Sequence, residues 1–329
     1  MILAGLLLNQ AVNSHVALLE ERVSVMGMDK TFEGFTVLHI SDLHAGPIGS
    51  DMELWQSLLK GKAFQAVVMT GDMVGSDGNY EPMLTLIHTL KQLKPEAPVY
   101  FVAGDDDPEP VISTPRGTPE VLADWVLAAQ QEGAIYLDAP VRQEVGKRGI
   151  WFVPEYLYDV DAAGMVKSLT KQKEDDGGGW ASSTKREGGA SYRALCYRLD
   201  AMERAVAAQQ EMLSTDLQIA VTHVPLIQDY IRTSLEWADE EKVFSFRTIN
   251  LLLAGHYCGG QWRVAGHGGA VCAGHRLASP DDGLMGMQRV NSINQYISGG
   301  LGASEAHPLK GRLFNSPSIT LLKFTATIQ

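Results

Sequence analysis

The chain has 329 residues, 45% hydrophobic and 20% charged, with a formal net charge of −12. That composition fits a globular protein with one large domain or two small ones. So acidic a balance excludes a general nucleic-acid-binding surface, which needs clustered Lys and Arg. Three cysteines, Cys196, Cys258 and Cys272, show no disulfide spacing and point to a reducing compartment. Cytoplasmic, peripheral-membrane and exported locations all stay open.

The opening run, Met1-Ile-Leu-Ala-Gly-Leu-Leu-Leu8, is too short to span a bilayer and lacks a basic leader. Residues 1–30 are read as an apolar, helical segment that either packs on the domain or touches a membrane surface through residues 1–20. Residues 36–40, 66–70 and 99–102 are apolar and β-branched, the pattern of buried strands. Helices alternate with them. One opens on a capping box at Ser50-Asp-Met-Glu53, and one carries Met83, Leu86, Leu90 and Leu93 on a single face. A third is expected from Thr118-Pro119-Glu120 to just before Gly133. Strands are then expected at 150–153 and 217–221, with an insertion at about 160–215 between them. Within it, 171–190 is rich in Gly and charge and reads as a mobile loop, and 192–213 has helical periodicity. Two late strands, 294–297 and 319–322, complete a domain spanning 31–329. The alternation suggests a layered α/β core with ligands at strand ends.

Five short segments sit where apolar runs end: Ser41-Asp42-Leu43-His44, Gly71-Asp72-Met73-Val74-Gly75, Gly104-Asp105-Asp106-Asp107, Val221-Thr222-His223 and Gly255-His256-Tyr257-Cys258. Carboxylates and imidazoles converging from separate strand ends are what a dinuclear metal site needs. Each segment alone is weak; the ordered set is strong. It resembles the calcineurin-like metallophosphoesterase family, whose pattern is Asp-x-His, Gly-Asp-x-x-Gly, Gly-Asn-His-Asp/Glu, a lone His and Gly-His-x-His. The likeness extends from about Phe35 to Phe324. The tail, with Gly259-Gly260-Gln261, Ser298-Gly-Gly-Leu-Gly302 and Pro317-Ser-Ile-Thr-Leu-Leu322, looks most like the bacterial membrane-associated branch, which includes lipid-precursor pyrophosphatases.

The resemblance implies a four-layer α-β-β-α sandwich of two mixed β-sheets flanked by helices. It implies a phosphohydrolase using two metal ions (Mn, Fe or Zn), with a metal-bridging hydroxide attacking a phosphodiester or pyrophosphate in line. Asp42 and His44 would bind the first ion, Asp72 would bridge, and Asp105, His223 and His256 would bind the second. Cys258 stands where the last histidine completes the first site. The implied partner is a phosphorylated small molecule or a lipid-linked substrate.

Three residues depart from the pattern. Asp105 replaces the asparagine, Asp106 the histidine that faces the scissile phosphate, and Cys258 the final histidine. Asp105 and a Cys258 thiolate can still be ligands, and the thiolate favours Zn²⁺. Together with Asp42 and Asp72 they bring four negative charges, which weakens attraction for phosphate and raises the pKa of bound water. Asp106 serves as a general acid if its pKa is raised; otherwise the leaving group must depart without a proton, as pyrophosphate does. The alternative reading is a degenerate family member acting as a binding or regulatory module. A separate zinc site using Cys258, Cys272, His267 and His275 has little support from their spacing.

Overall fold

The computed structural model describes residues 9–10, 12–113, 120–177, 190–236, 244–263, 269–271, 283–305 and 311–327. One sheet has six strands in the order β1-β14-β2-β3-β4-β5: Ala17–Val25, Ser318–Ala326, Thr36–Ile40, Ala66–Thr70, Val99–Val102 and Ala134–Tyr136. The other six-stranded sheet has the order β12-β13-β9-β8-β7-β6: Gly286–Val290, Ile293–Ile297, Leu251–Ala254, Leu217–Val221, Arg148–Pro154 and Val141–Val145. Both are mixed. β2 to β5 run parallel while β14 is antiparallel to β2, and β7, β8, β9 and β13 run parallel between antiparallel edge strands. A two-stranded ribbon of β10 (Trp262–Arg263) and β11 (Gly269–Val271) stands apart.

The inner strands are apolar on both faces because both faces are covered. Along β2 and β3, Val37 and Val68 point into the space between the sheets, where they meet Phe152, Ile219 and Leu253 of the other sheet. Leu38, Ile40, Val67 and Met69 point outward against α1 (Met52–Leu59), α2 (Glu81–Leu93) and α3 (Asp124–Gln131). The outer face of the second sheet is covered by α4 (Ala162–Gly177), α5 (Ala190–Glu211) and α6 (Gln228–Glu236), through Leu169, Leu199, Met202 and Ile231. The result is the four-layer sandwich. Tyr100 and Phe152 stack across the middle, ring centroids 4.2 Å apart.

Several local expectations change. Residues 17–25, expected in a helical N-terminal segment, form β1 and pair in register with β14. Asp51, not Ser50, caps α1, its carboxylate accepting from Leu54 N at 2.9 Å. α3 starts at Asp124 rather than at Pro119. The backbone at 121–123 is already engaged, with Ile112 N donating to Val121 O and Ala123 N to Pro110 O. Residues 171–177 continue α4, since Lys171-Gln-Lys-Glu174 are good helix formers. The Met1–Leu8 run, residues 178–189, His267, Cys272 and His275 lie outside the described residues. Among the described residues no helix is long and apolar enough to cross a membrane.

His39 of β2 is buried between the sheets, its Nε2 2.9 Å from Thr70 Oγ1 and its Nδ1 without a partner. Burial pushes its pKa down to about 3 from an ordinary 6.5. The unfolded chain takes up this proton below 6.5 and the folded chain does not until about 3. The stability His39 confers is therefore full above 6.5 and lost as pH falls through that window. Chemical denaturation at pH 7 and pH 5 checks this. The loss in wild type should exceed that in His39→Phe by about 2 kcal/mol, and equal losses would contradict a neutral His39.

Candidate metal centre

Parallel strands end on the same edge, so β2, β3 and β4 of one sheet and β8 and β9 of the other bring their carboxyl ends together. The five motif segments follow these ends. Potential ligand atoms within 4.8 Å of one another fall into overlapping groups. Asp42, His44 and Cys258 form one lobe, and Asp105, His223 and His256 another. Asp72 groups with Asp42 and His223 and also with His44 and Asp106, so it stands between the lobes. All eight residues singled out in the sequence thus converge at one place.

The second lobe is tight. His223 Nε2 lies 2.7 Å from Asp105 Oδ1 and 3.1 Å from Asp72 Oδ2. His256 Nδ1 lies 3.2 Å from Asp105 Oδ1 and 3.3 Å from His223 Nε2. In the first lobe, His44 Nε2 is 3.6 Å from Asp72 Oδ2 and 3.7 Å from Cys258 Sγ. Donors held about 2.0–2.3 Å from one ion stand roughly 3–4 Å apart. The spacings and the mix of carboxylate, imidazole and thiol therefore fit a pair of divalent cations.

The electrostatics point the same way. Asp42 is fully buried, and burial pushes its carboxyl above the usual range. Hydrogen bonds from His223 and His256 hold Asp105 well below it. Burial opposes a charge on His223, but bonds to Asp105 and Asp72 override that and raise it. Burial, reinforced by the Asp42 charge, pushes the Cys258 thiol well up. Carboxylates crowded this closely need cations, and within the cluster the side chains that can supply positive charge are histidines.

The backbone is strained at the same positions. Asp42, His44, Asp72, His256 and Cys258 all have positive φ, between 46° and 76°. For His and Cys this costs on the order of 1 kcal/mol each, and such strain concentrates at functional sites. Two motif glycines are explained by close approach. A Cβ on Gly104 would overlap the Asp72 carboxylate, and one on Gly255 would meet Asp42 Oδ2 at 2.8 Å.

Supporting residues fix these loops. His223 Nδ1 lies 2.7 Å from Thr70 O, which as an acceptor orients Nε2 toward the cluster. Asp42 accepts from His256 N at 2.9 Å and from Ser41 Oγ. Asp106, expected to face the phosphate, has Oδ2 3.7 Å from His44 Nδ1 and accepts from Ser304 Oγ at 2.6 Å. Sequence reasoning missed Ser304, and also Asp107 as anything but an acidic neighbour. Asp107 accepts from Val74 N and Gly104 N, each at 2.7 Å, and staples the Asp72 loop to the Asp105 loop. The available signal was an Asp in turn-forming sequence, where such residues bind backbone N–H groups. Arg312, also missed, donates to Asn315 O, Gly302 O and Gly299 O at 2.6–2.8 Å beneath the cluster.

Asp107 belongs to none of the candidate donor groups, so it acts on metal indirectly, chiefly by holding the two loops together. Asp107→Ala should weaken metal affinity by about 10- to 100-fold, measured by calorimetric titration of metal-free protein. Unchanged affinity would show that the staple does not set the site.

No curated protein matches the chain in sequence. Among solved structures it is similar to phosphopantetheinyl hydrolase (PptH) from Mycobacterium tuberculosis, at 12% identity and TM-score 0.37, covering 82% of this chain and 91% of that one. It is similar to TT1561 of Thermus thermophilus, at 11% identity and TM-score 0.36, covering 82% and 90%. A third is GAP50, the anchor in the inner membrane complex of Plasmodium, at 10% identity and TM-score 0.35, covering 82% and 72%. Likeness at this level carries no argument about substrate. The family pattern is decisive instead: it matches residues 35–260, which contain all five motif segments, and the chain belongs to the calcineurin-like phosphoesterases.

Proposed function

We propose that this chain is an active metal-dependent phosphohydrolase that cleaves a phosphodiester or pyrophosphate bond. Asp42, His44 and Cys258 would hold one ion, Asp105, His223 and His256 the other, and Asp72 would serve both. The observation that carries this reading is the position of Asp72 between two complete groups of donors. Substitution of the final histidine by Cys258 changes the ligand without emptying the position, which speaks against a degenerate binding module. Mn, Fe and Zn all suit the second lobe, and a thiolate favours Zn at the first.

Divalent ions bound here would polarise a phosphoryl oxygen and lower the pKa of a water molecule toward neutrality. The chain's own residues do the rest. The Thr70 carbonyl fixes the His223 ring, and the Asp42 carboxylate fixes the loop that presents His256. Asp106, half-buried at the rim of the first lobe and held by Ser304 Oγ, sets charge selection. As an anion it repels a dianionic monoester more than a monoanionic diester. With no histidine at this place, leaving groups that depart unprotonated are favoured, as in pyrophosphates or aryl diesters. The substrate we read here is a phosphorylated small molecule or a lipid-linked phosphodiester or pyrophosphate.

Steady-state hydrolysis of bis(p-nitrophenyl) phosphate and p-nitrophenyl phosphate tests this. We expect kcat/KM for the diester to exceed that for the monoester by at least about tenfold. Chelation should abolish both activities, and Asp106→His should narrow the preference. A monoester preference, or activity indifferent to chelator, would count against the reading.

A further inference from the structure

The helical insertion between β7 and β8 covers its sheet with one face. With another it helps enclose a cavity of about 360 Å³ that the metal chemistry does not use. The lining is largely hydrocarbon: Val111, Leu137, Val160, Met165, Ala201 and Met202. A second cavity of about 190 Å³ is lined by Ala103 and His223, at the metal centre, and by Thr222 and Glu155. The two share Tyr136, Leu137 and Tyr156 in their walls. The cavity that touches a candidate metal ligand therefore adjoins an apolar chamber within the size range of small-molecule sites.

The chamber is built rather than accidental. Asp138, on its wall, receives Arg204 through two bonds of 2.9 and 2.8 Å and is also bonded by Tyr197 Oη, tying α5 to the turn after β5. Tyr156 Oη donates to Asp138 O at 2.7 Å and ties in the segment after β7. Among the described residues of the lining, Asp138 is the only acid, and it is already neutralised by Arg204. The described lining therefore offers no spare carboxylate to a cationic group. Arg198, the one cation among those residues, is exposed at the rim.

From this we infer that the chamber receives an uncharged hydrocarbon arm of the substrate, so that the substrate is an amphiphilic phosphoester with its phosphorus at the metal centre. The inference rests on the phosphohydrolase reading above. It adds that the inserted helices choose among esters of equal charge by their hydrocarbon arm, beside the charge selection by Asp106.

The test compares methyl and octyl p-nitrophenyl phosphate, two monoanionic diesters with one reactive group, below the micelle concentration of the longer. Calorimetric binding to metal-free protein is measured beside kcat and KM of the metal-loaded protein. Wild type should bind the octyl ester at least about tenfold tighter, with the gain appearing in KM. Ala201→Trp, which fills the chamber, should bring the two esters together and leave the methyl ester unchanged. Met165→Glu, at a site already 37% exposed, should do the same with little risk to folding. Equal binding of both esters by folded wild type, or a chain-length preference that survives in both variants, would overturn the inference. Selective octyl binding without any metal-dependent hydrolysis would sink the phosphohydrolase reading and leave the chamber standing. Hydrolysis of both esters at equal kcat/KM would do the reverse.

Discussion

Asp72 lies 2% exposed between two groups of imidazoles and acids, and the organisation of the molecule follows from bringing it there. Asp42, Asp72 and Asp105 repel one another, and burial of the first two removes the water that would screen them. Such an arrangement persists only where the scaffold enforces it and cations compensate it. The enforcement comes from two sheets packed face to face, whose parallel strands release their chains at one edge. Before a cation binds, the His223 ring, 2.7 Å from Asp105 and 3.1 Å from Asp72, supplies part of the compensation. The rest of the donor set has the composition and spacing for divalent ions.

What holds the donors is mostly backbone. Asp107 binds two loop N–H groups, Asp42 accepts from His256 N, and Asp106 N donates to Asp72 Oδ1 at 2.9 Å. Asn315 donates to the Cys258 carbonyl at 2.9 Å, and Arg312 gathers the carbonyls of the loop that packs on Asp42. These bonds offset the positive φ values at the ligand positions, so the strained loops are over-determined rather than loose. The glycines of the motifs have a matching role. At 104 and 255 they make room for carboxylates, not for turns.

The inner strands were legible because burial on both faces writes a continuous apolar run, as in Ala66–Thr70. β1 was not legible. Its run Ala-Leu-Leu-Glu-Glu-Arg-Val-Ser-Val lies at a sheet edge, with exposed charges at its centre, and its pairing partner is some 300 residues away. The first turn of α3 was misplaced because Pro119-Glu120 looks like a helix start, while the next residues bond back to 110–112. The candidate ligands could be read because metal chemistry restricts residue type and their spacing is local. Ser304, Asp107 and Arg312 could not, since their importance lies in contacts that only the folded chain creates. The apolar chamber was equally hidden: its walls come from the turn after β5, the segment after β7 and both inserted helices.

Elemental analysis of the purified protein, beside Asp72→Ala, tests the central claim most directly. A shared carboxylate between two donor groups predicts close to two metal ions per chain in wild type and a marked loss in the variant, with the fold intact by circular dichroism. One ion or none in wild type, unchanged in Asp72→Ala even after reconstitution with Mn²⁺, Zn²⁺ and Fe²⁺, would contradict it.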